Sequence, residues 1–316
     1  IGMPKRDRTP ALCVRESKSY LLLVIIILLW GINFVVARVL SGIDPIRVSG
    51  ILYAFFRYFL GSLTMIVVMV VQKRKIKEIT EGVSTHLRML FFSALFSAIF
   101  VIAIHTSAEF IPSGTTSIIV NLSPIVVLIF GILFLGELLT PGKVVGFLLG
   151  VGAGLIFLWT TLNISSGLEW GILLAIIGML AWGAYTVTLH YLEGVDPYIV
   201  MTIKHGTSTL MILPFIFLLV LDGVELILVW DLWTVLGLIF AGVLASGLAY
   251  VLYFTAIEIL GAARASSFLF LIPFVSVAGD FVLGEPPHII SLFAGAVAIV
   301  GVALVKMASG EESPND

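Results

Sequence analysis

The chain has 316 residues, 60% of them apolar and only 11% charged, with a mean hydropathy of +1.17 and a formal net charge of -2. Soluble domains carry roughly 25% charged residues, so a core this apolar would lack the polar surface to cover itself in water; a bilayer removes the conflict. The near-neutral charge implies no nucleic-acid partner, and the one cysteine, Cys13, makes neither an internal disulfide nor a cysteine metal cage, so no cofactor or metal is expected.

Residues 1–19 form a basic polar tail. With the apolar run behind it the tail resembles a signal peptide, but the run continues through Leu40 without a clear small-x-small cleavage site, so it reads as a retained first span. A hydrocarbon core of about 30 Å takes about 20 apolar residues in a helix. Such stretches fall near 20–40, 46–72, 87–110, 113–135, 142–160, 168–190, 198–220, 233–257, 263–283 and 288–307. Backbone polar groups in lipid must bond within their own segment, so the stretches are helices.

In chain order, the first span carries Trp30-Gly31-x-Asn33-Phe34, with Trp30 and Asn33 on one face at i and i+3. In the loop after it, Asp44 is a good N-cap and Pro45 a good first helical residue. Arg57, in Phe55-Phe56-Arg57-Tyr58-Phe59, lies near the middle of the second span. An ionisable residue there is expensive and marks a functional candidate: its guanidinium can hold a carboxylate bidentately, or be spent on a structural ion pair. In the third span His105 lies four residues before Glu109, which puts both on one helix face, and His is the natural proton-titrating group near neutral pH. Pro124 lies within the fourth span, where it frees a carbonyl and bends the helix, with Asn121 placed to bond freed backbone. Glu137 closes that span, and Gly146, Gly150 and Gly154 make a small-residue packing stripe in the fifth.

The sixth span carries Trp182-Gly183-Ala184-Tyr185. Asp196-Pro197 opens the seventh, where Lys204 and His205 sit about two turns in; Lys204 either snorkels to the interface or serves a site. Tyr250 and Tyr253 are weaker candidates in the eighth. The ninth holds Pro273, a second bend point, and Asp280, read either as a proton-coupling group or as a residue at the wet mouth; Glu285 closes it. Glu137 and Glu285 suit helix-end bonds or gate contacts better than substrate binding. Trp30, Asn33, Trp182 and Tyr185 fit either a cavity lining with aromatic walls and polar tips or an interfacial aromatic belt.

Lys5, Arg6, Arg8, Arg15, Lys18, Lys73, Arg74, Lys75, Lys77, Arg88, Lys143, Arg264 and Lys306, thirteen of the 17 Lys and Arg, share one side when both termini are cytoplasmic. That bias orients the chain in the cell (plasma or inner) membrane with its 1–19 and 308–316 tails on the cytoplasmic side. An internal repeat is the most informative pattern. Trp30-Gly31 recurs as Trp182-Gly183 and Gly42-Ile43-Asp44-Pro45 as Gly194-Val195-Asp196-Pro197, both offset by 152. Pro124 matches Pro273 at an offset of 149, and Leu135-Gly136-Glu137 matches Leu283-Gly284-Glu285 at 148. The halves are 20–160 and 168–307, with five spans each. An odd number forces inversion, so the expected fold is an all-α integral membrane protein of ten transmembrane helices in two inverted five-helix repeats, with a site between them.

With these motifs on the page, the chain resembles the EamA-type transporters of the drug/metabolite transporter superfamily. Trp30, Gly31, Asn33, Phe34, Arg57, Pro124 and the run from Leu135 to Thr140 carry the likeness, repeated less fully by Trp182, Gly183, Pro273 and Leu283-Gly284-Glu285. The resemblance implies alternating access through a central cavity and substrates such as amino acids and other small metabolites, often exported. At offset 152 the counterpart of Arg57 is Thr209, so the charges break the symmetry that the scaffold keeps. The candidate substrate-binding set is therefore Arg57, Trp30, Asn33, Trp182, Tyr185, His105, Lys204 and Tyr253. Pro124, Pro273, Glu137 and Glu285 are the bend or gate candidates, and His105 and Asp280 the proton-coupling ones. A small molecule and membrane lipid are the expected partners of a monomer or homodimer. The alternatives are a sugar-phosphate or nucleotide-sugar exchanger, which two close intramembrane cations would favour, and a non-transporting receptor or scaffold. No catalytic motif stands out that would suit an enzyme.

Overall fold

The computed structural model describes residues 10–73, 76–135, 140–162, 168–260, 265, 268–286 and 289–310. Ten helical segments follow one another: α1 Pro10–Ser41, α2 Gly50–Val71, α3 Ile76–Ser107, and α4, which is broken into Ser113–Val120, Ser123–Phe130 and a π turn over Gly131–Leu135. The second half begins after α5 Pro141–Leu162 with α6 Leu168–His190, α7 Pro197–Leu221 and α8 Leu232–Leu260, whose middle, Phe240–Leu248, is π-helical. α9 Phe268–Leu283 starts as a 3₁₀ turn, and α10 Ile289–Gly310 ends the fold. Seven of these are long and apolar enough to cross a membrane on their own; α5, α9 and α10 contribute the shorter apolar stretches Pro141–Ala153, Phe268–Leu283 and Leu292–Gly301. The molecule is thus an all-α multi-pass membrane protein of two inverted five-helix repeats, with large apolar side chains such as Leu21, Val67, Leu210 and Phe293 turned outward.

The halves are packed through each other rather than side by side. α1 lies on α8 and α9 of the other half, and α6 lies correspondingly on α3 and α4. α2 packs on α7 and α8, α3 on α7, and α5 on α10. The repeated Trp-Gly explains the first of these crossings. A Cβ on Gly31 would sit 2.5 Å from Val275 Cβ, and one on Gly183 would sit 2.6 Å from Val126 Cγ1. Both valines lie two residues after the repeated prolines Pro273 and Pro124, in matching places of opposite halves. The glycine stripe of α5 works the same way: a Cβ on Gly301 of α10 would lie 2.7 Å from Gly146 O and 2.9 Å from Gly150 N.

The helix breaks follow from the prolines. Pro124 and Pro273 stand in the first turn of the segments they open, where the missing N–H costs nothing. Ahead of Pro124 the chain turns at Asn121–Leu122, and Asn121 donates Nδ2 to Ser117 O at 2.9 Å, satisfying backbone beside the break. The repeated Asp-Pro, by contrast, does two different things. Asp196 caps α7, accepting from Tyr198 N at 2.9 Å. Asp44 caps nothing: α2 begins five residues after Pro45, at Gly50, which corrects the expected start. The intervening strip is drawn out instead, with Val48 bridging Leu228 and Ser49 N donating to Ile227 O at 2.9 Å. Ser49 Oγ is spent on Ile227 N, so the Glu109 carboxylate takes the Gly50 N–H in its place.

The face that carries the α1–α2 connection also carries the polar ties between the halves described next. Arg38 at the end of α1 forms a bidentate pair with Glu285 beyond α9, at 2.7 and 2.8 Å, and also donates Nη1 to Ala108 O at 3.0 Å. Arg47 pairs with Asp231, which also caps α8 through Thr234 N. Asp280 accepts from Ser113 N at 3.0 Å and Gly114 N at 2.7 Å, closing the N-terminus of α4 across the repeat boundary. At the opposite face, His190 and Glu193 form a local ion contact.

Candidate functional site

Midway between the faces the interior is polar and aromatic. Arg57 sits two turns into α2 and is 7% exposed. Its Nε donates to Ser246 Oγ of α8 at 2.7 Å, and its Nη1 lies 2.7 Å from His105 Nε2 of α3. A guanidinium only donates, so His105 Nε2 accepts and the ring proton stands on Nδ1, a buried atom without a hydrogen-bond partner. The His105 ring packs on Tyr53, centroids 4.7 Å apart, and Tyr53 donates its hydroxyl to Asn33 Oδ1 of α1 at 3.0 Å. Asn33, Tyr53, His105, Arg57 and Ser246 thus form one chain of contacts from α1 to α8, from the first half into the second. His105 and Glu109 do not share a helix face as expected. α3 ends at Ser107, so Glu109 is carried off the helix face to Gly50, and Arg57 takes the imidazole.

Lys204 is fully buried, and its Nζ has no hydrogen-bond partner. Three tyrosine rings surround it: Tyr250 at 4.8 Å and Tyr58 and Tyr185 each at 5.2 Å from ring centroid to nitrogen. This corrects the snorkelling alternative; the stem leads inward into an aromatic box rather than out to headgroups. Tyr58 is shared, since the Arg57 guanidinium carbon lies 6.0 Å from the same ring. Ring faces attract a cation by about 0.5–2 kcal/mol. Burial of an ion costs several kcal/mol, so the box leaves much of that cost uncovered. No carboxylate of the described residues lies within ion-pair distance of Arg57 or Lys204. Next to them His205 donates its Nδ1–H to Met201 O at 2.9 Å, a carbonyl being an acceptor only, and its buried Nε2 has no hydrogen-bond partner.

Aromatic walls continue from the box. Trp30 contacts Tyr250 at 5.3 Å and Tyr253 at 5.4 Å, and its Nε1 donates to Ala245 O in the π stretch of α8 at 2.8 Å. Trp182 packs between Phe100, at 4.7 Å, and Tyr185, at 5.1 Å. Tyr58 shares a hydrogen with Ser97 at 2.9 Å. The eight substrate-binding candidates therefore fall in one neighbourhood, drawn from α1, α2, α3, α6, α7 and α8. Tyr53, Tyr58 and Ser246 belong to it as well and are not among the sequence candidates. The two tyrosines flank Arg57 at i-4 and i+1, a signal available in the sequence; Ser246 gives none, because the π turn that aims it breaks the 3.6 periodicity.

The remaining candidates lie elsewhere. Pro124 and Pro273 sit at the helix breaks, Pro273 beside a small crevice shared with Ile118, Asn121 and Gly295. Asp280 is fully buried rather than at a wet mouth, because it caps α4. Glu285 is paired with Arg38, and Glu137 lies outside the described residues. Among the described residues no group of three or more His, Cys, Asp or Glu is placed to hold a metal.

The family model for the EamA-like transporter family matches this chain twice, over residues 17–159 and 169–307. The chain is 26% identical to the uncharacterized transporter YoaV of Bacillus subtilis, over 89% of this chain and 94% of that one. It is 27% identical to an uncharacterized transporter of Archaeoglobus fulgidus, over 92% of this chain and 97% of the relative. A solved crystal structure superposes with a TM-score of 0.60 over 93% of this chain and 98% of its own, at 18% identity, a likeness of fold alone.

Proposed function

The chain belongs to the EamA-like transporter family, and from that premise we propose that it moves a small organic metabolite bearing an acidic group by alternating access between its two inverted halves. One observation carries the reading. Arg57, a cation at mid-depth of a membrane protein, has no carboxylate partner among the described residues and is aimed by His105 and Ser246, one from each half. A guanidinium held on two sides is preorganised for an anion, and the rings of Trp30, Tyr250, Tyr253, Trp182 and Tyr185 offer apolar body contacts with polar tips. Amino acids and phosphorylated sugars both answer to that substrate description. Helices breaking at Pro124 and Pro273 supply the bend points, and the ties around Arg38 and Glu285 act as the gate at the α1–α2 face. The Lys and Arg distribution makes that face external, with both termini in the cytoplasm of a plasma or inner membrane. Export is the favoured direction, and since Arg57 and its partners come from one chain, a monomer or each subunit of a homodimer is a complete unit.

The test is counterflow in proteoliposomes with a panel of amino acids, carboxylates and phosphate esters. Arg57→Ala is expected to lower transport of the accepted substrate by at least about 100-fold, the scale of losing a charge-assisted bidentate contact with its orientation. Wild-type rates in that variant refute the anchor.

A further inference from the structure

Resting on the transport reading above, we infer that Lys204 is a second anion-binding group and that the substrate is an organic dianion without an ammonium group. The argument is charge balance in a place where charge is costly. Arg57 and Lys204 approach the same ring, that of Tyr58, from α2 and α7. Lys204 Nζ is fully buried and makes no hydrogen bond, while the hydrogen bonds of Arg57 are to neutral partners. The other titratable groups around them are two imidazoles, of which His105 accepts from Arg57 and His205 packs on Tyr58 and Tyr250, and tyrosines; no Asp or Glu of the described residues forms an ion pair with them. The attraction of three ring faces offsets part of the cost of desolvating an ammonium and leaves its three donors unfilled. An arriving group with two negative charges fills those donors and neutralises both cations. A zwitterionic amino acid does not: its carboxylate satisfies one cation, and its ammonium then enters a site with two cations and no carboxylate, a like-charge juxtaposition in low dielectric. The sequence supports the same assignment, since Lys204 and Arg57 have no symmetry mates, so the second charge is an addition to the repeated scaffold rather than part of it.

The experiment uses the full chain in proteoliposomes with four probes at neutral pH: succinate, glycerol 3-phosphate, lactate and alanine, with thermal-shift titrations of the same compounds in detergent. Succinate or glycerol 3-phosphate is expected to exchange and to stabilise, lactate to do so weakly, and alanine not at all; which dianion responds separates a dicarboxylate from a phosphate-ester substrate. Lys204→Met keeps the stem apolar and removes the unpaired charge, so it is expected to fold. It should raise KM for the dianion about 10–100-fold, the loss of one charge-assisted bond, while leaving lactate unchanged, and Lys204→Arg should restore part of the preference. A Lys204→Met protein with unaltered dianion-to-monoanion preference overturns the role of Lys204. Arg57-dependent movement of alanine with the dianions inert overturns the dianion and leaves the transport reading intact. If none of the probes or of the wider panel is moved, the transport reading itself falls. Should Lys204→Met not fold, the wild-type order of stabilisation by dianion, monoanion and zwitterion still decides.

Discussion

Replacing Gly31 with alanine tests the interlocked halves directly. The new Cβ would stand 2.5 Å from Val275 Cβ and 2.7 Å from its Cγ1, with Ile272 O at 3.2 Å. Carbon atoms pack at about 3.5–4.0 Å, so roughly 1 Å of separation must be recovered. Valine is stiff at χ1 and cannot swing clear, which leaves a shift of α1 against α9. Overpacking of this kind costs about 1–3 kcal/mol. Gly183→Ala meets Val126 at 2.6 and 2.7 Å and should cost about the same, although it lies in the other half. Thermal unfolding in detergent is the assay, read as a midpoint under one heating rate because unfolding of such chains is often irreversible. The decisive arm is a double-mutant cycle: Val275→Gly, which removes both Cβ and Cγ1, should couple favourably with Gly31→Ala and hardly with Gly183→Ala, and Val126→Gly the reverse. A neutral Gly31→Ala, or coupling to the wrong valine, refutes the interlocked packing.

Other perturbations follow from single contacts. The side chains of Arg38 and Glu285 are 10% and 28% exposed, so Glu285→Gln is expected to destabilise by about 1–3 kcal/mol, less than the 3–5 of a fully buried pair, and Arg38→Glu with Glu285→Arg to recover part of it in a double-mutant cycle. Asp280→Ala strands the N–H groups of Ser113 and Gly114 in a buried place, for about 2–4 kcal/mol by thermal unfolding. Glu109, in the turn after α3, has its pKa raised by burial, with the Gly50 N–H pulling the other way. A raised carboxylate favours the folded state while protonated, so its contribution is present at low pH and is lost as pH rises through its raised value, above the 4.5 of a free glutamate. Glu109→Gln should flatten that part of the stability-against-pH curve; an unchanged slope assigns the dependence elsewhere.

The number and course of the helices were legible because bilayer thickness and backbone bonding leave few options for runs of apolar residues. The repeat was legible too, and its Trp-Gly pair turned out to mark a crossing point, although nothing in one half announces that its glycine will receive a valine from the other. Residues whose partners are distant were read less well. Asp44 and Asp196 stand in the same tetrapeptide, yet the strip after Asp44 is claimed by residues 227–229, and its helix starts late. His105 and Glu109 share a face only while the helix lasts, and it stops between them. Lys204 looked able to reach the interface because four methylenes point either way; three tyrosines from α2, α6 and α8, far apart in sequence, decide the direction. Asp280 is the plainest case, since an acid near a span end is drawn equally to water and to an uncapped helix, and the helix it caps lies 167 residues away.

The ion pairs at the α1–α2 face are of a kind that water can replace. Arg38, Glu285, Arg47 and Asp231 are all partly exposed already, and the more water reaches such a pair, the less its contact is worth beyond the solvated ends. Parting the halves there would trade these protein partners for solvent, whereas the Gly31 and Gly183 crossings, which solvent cannot fill, resist separation. If the halves part at this face as proposed, the molecule is stiff where its helices interlock and gives first where its ion pairs lie, and differential binding of a small solute to the two forms sets their populations.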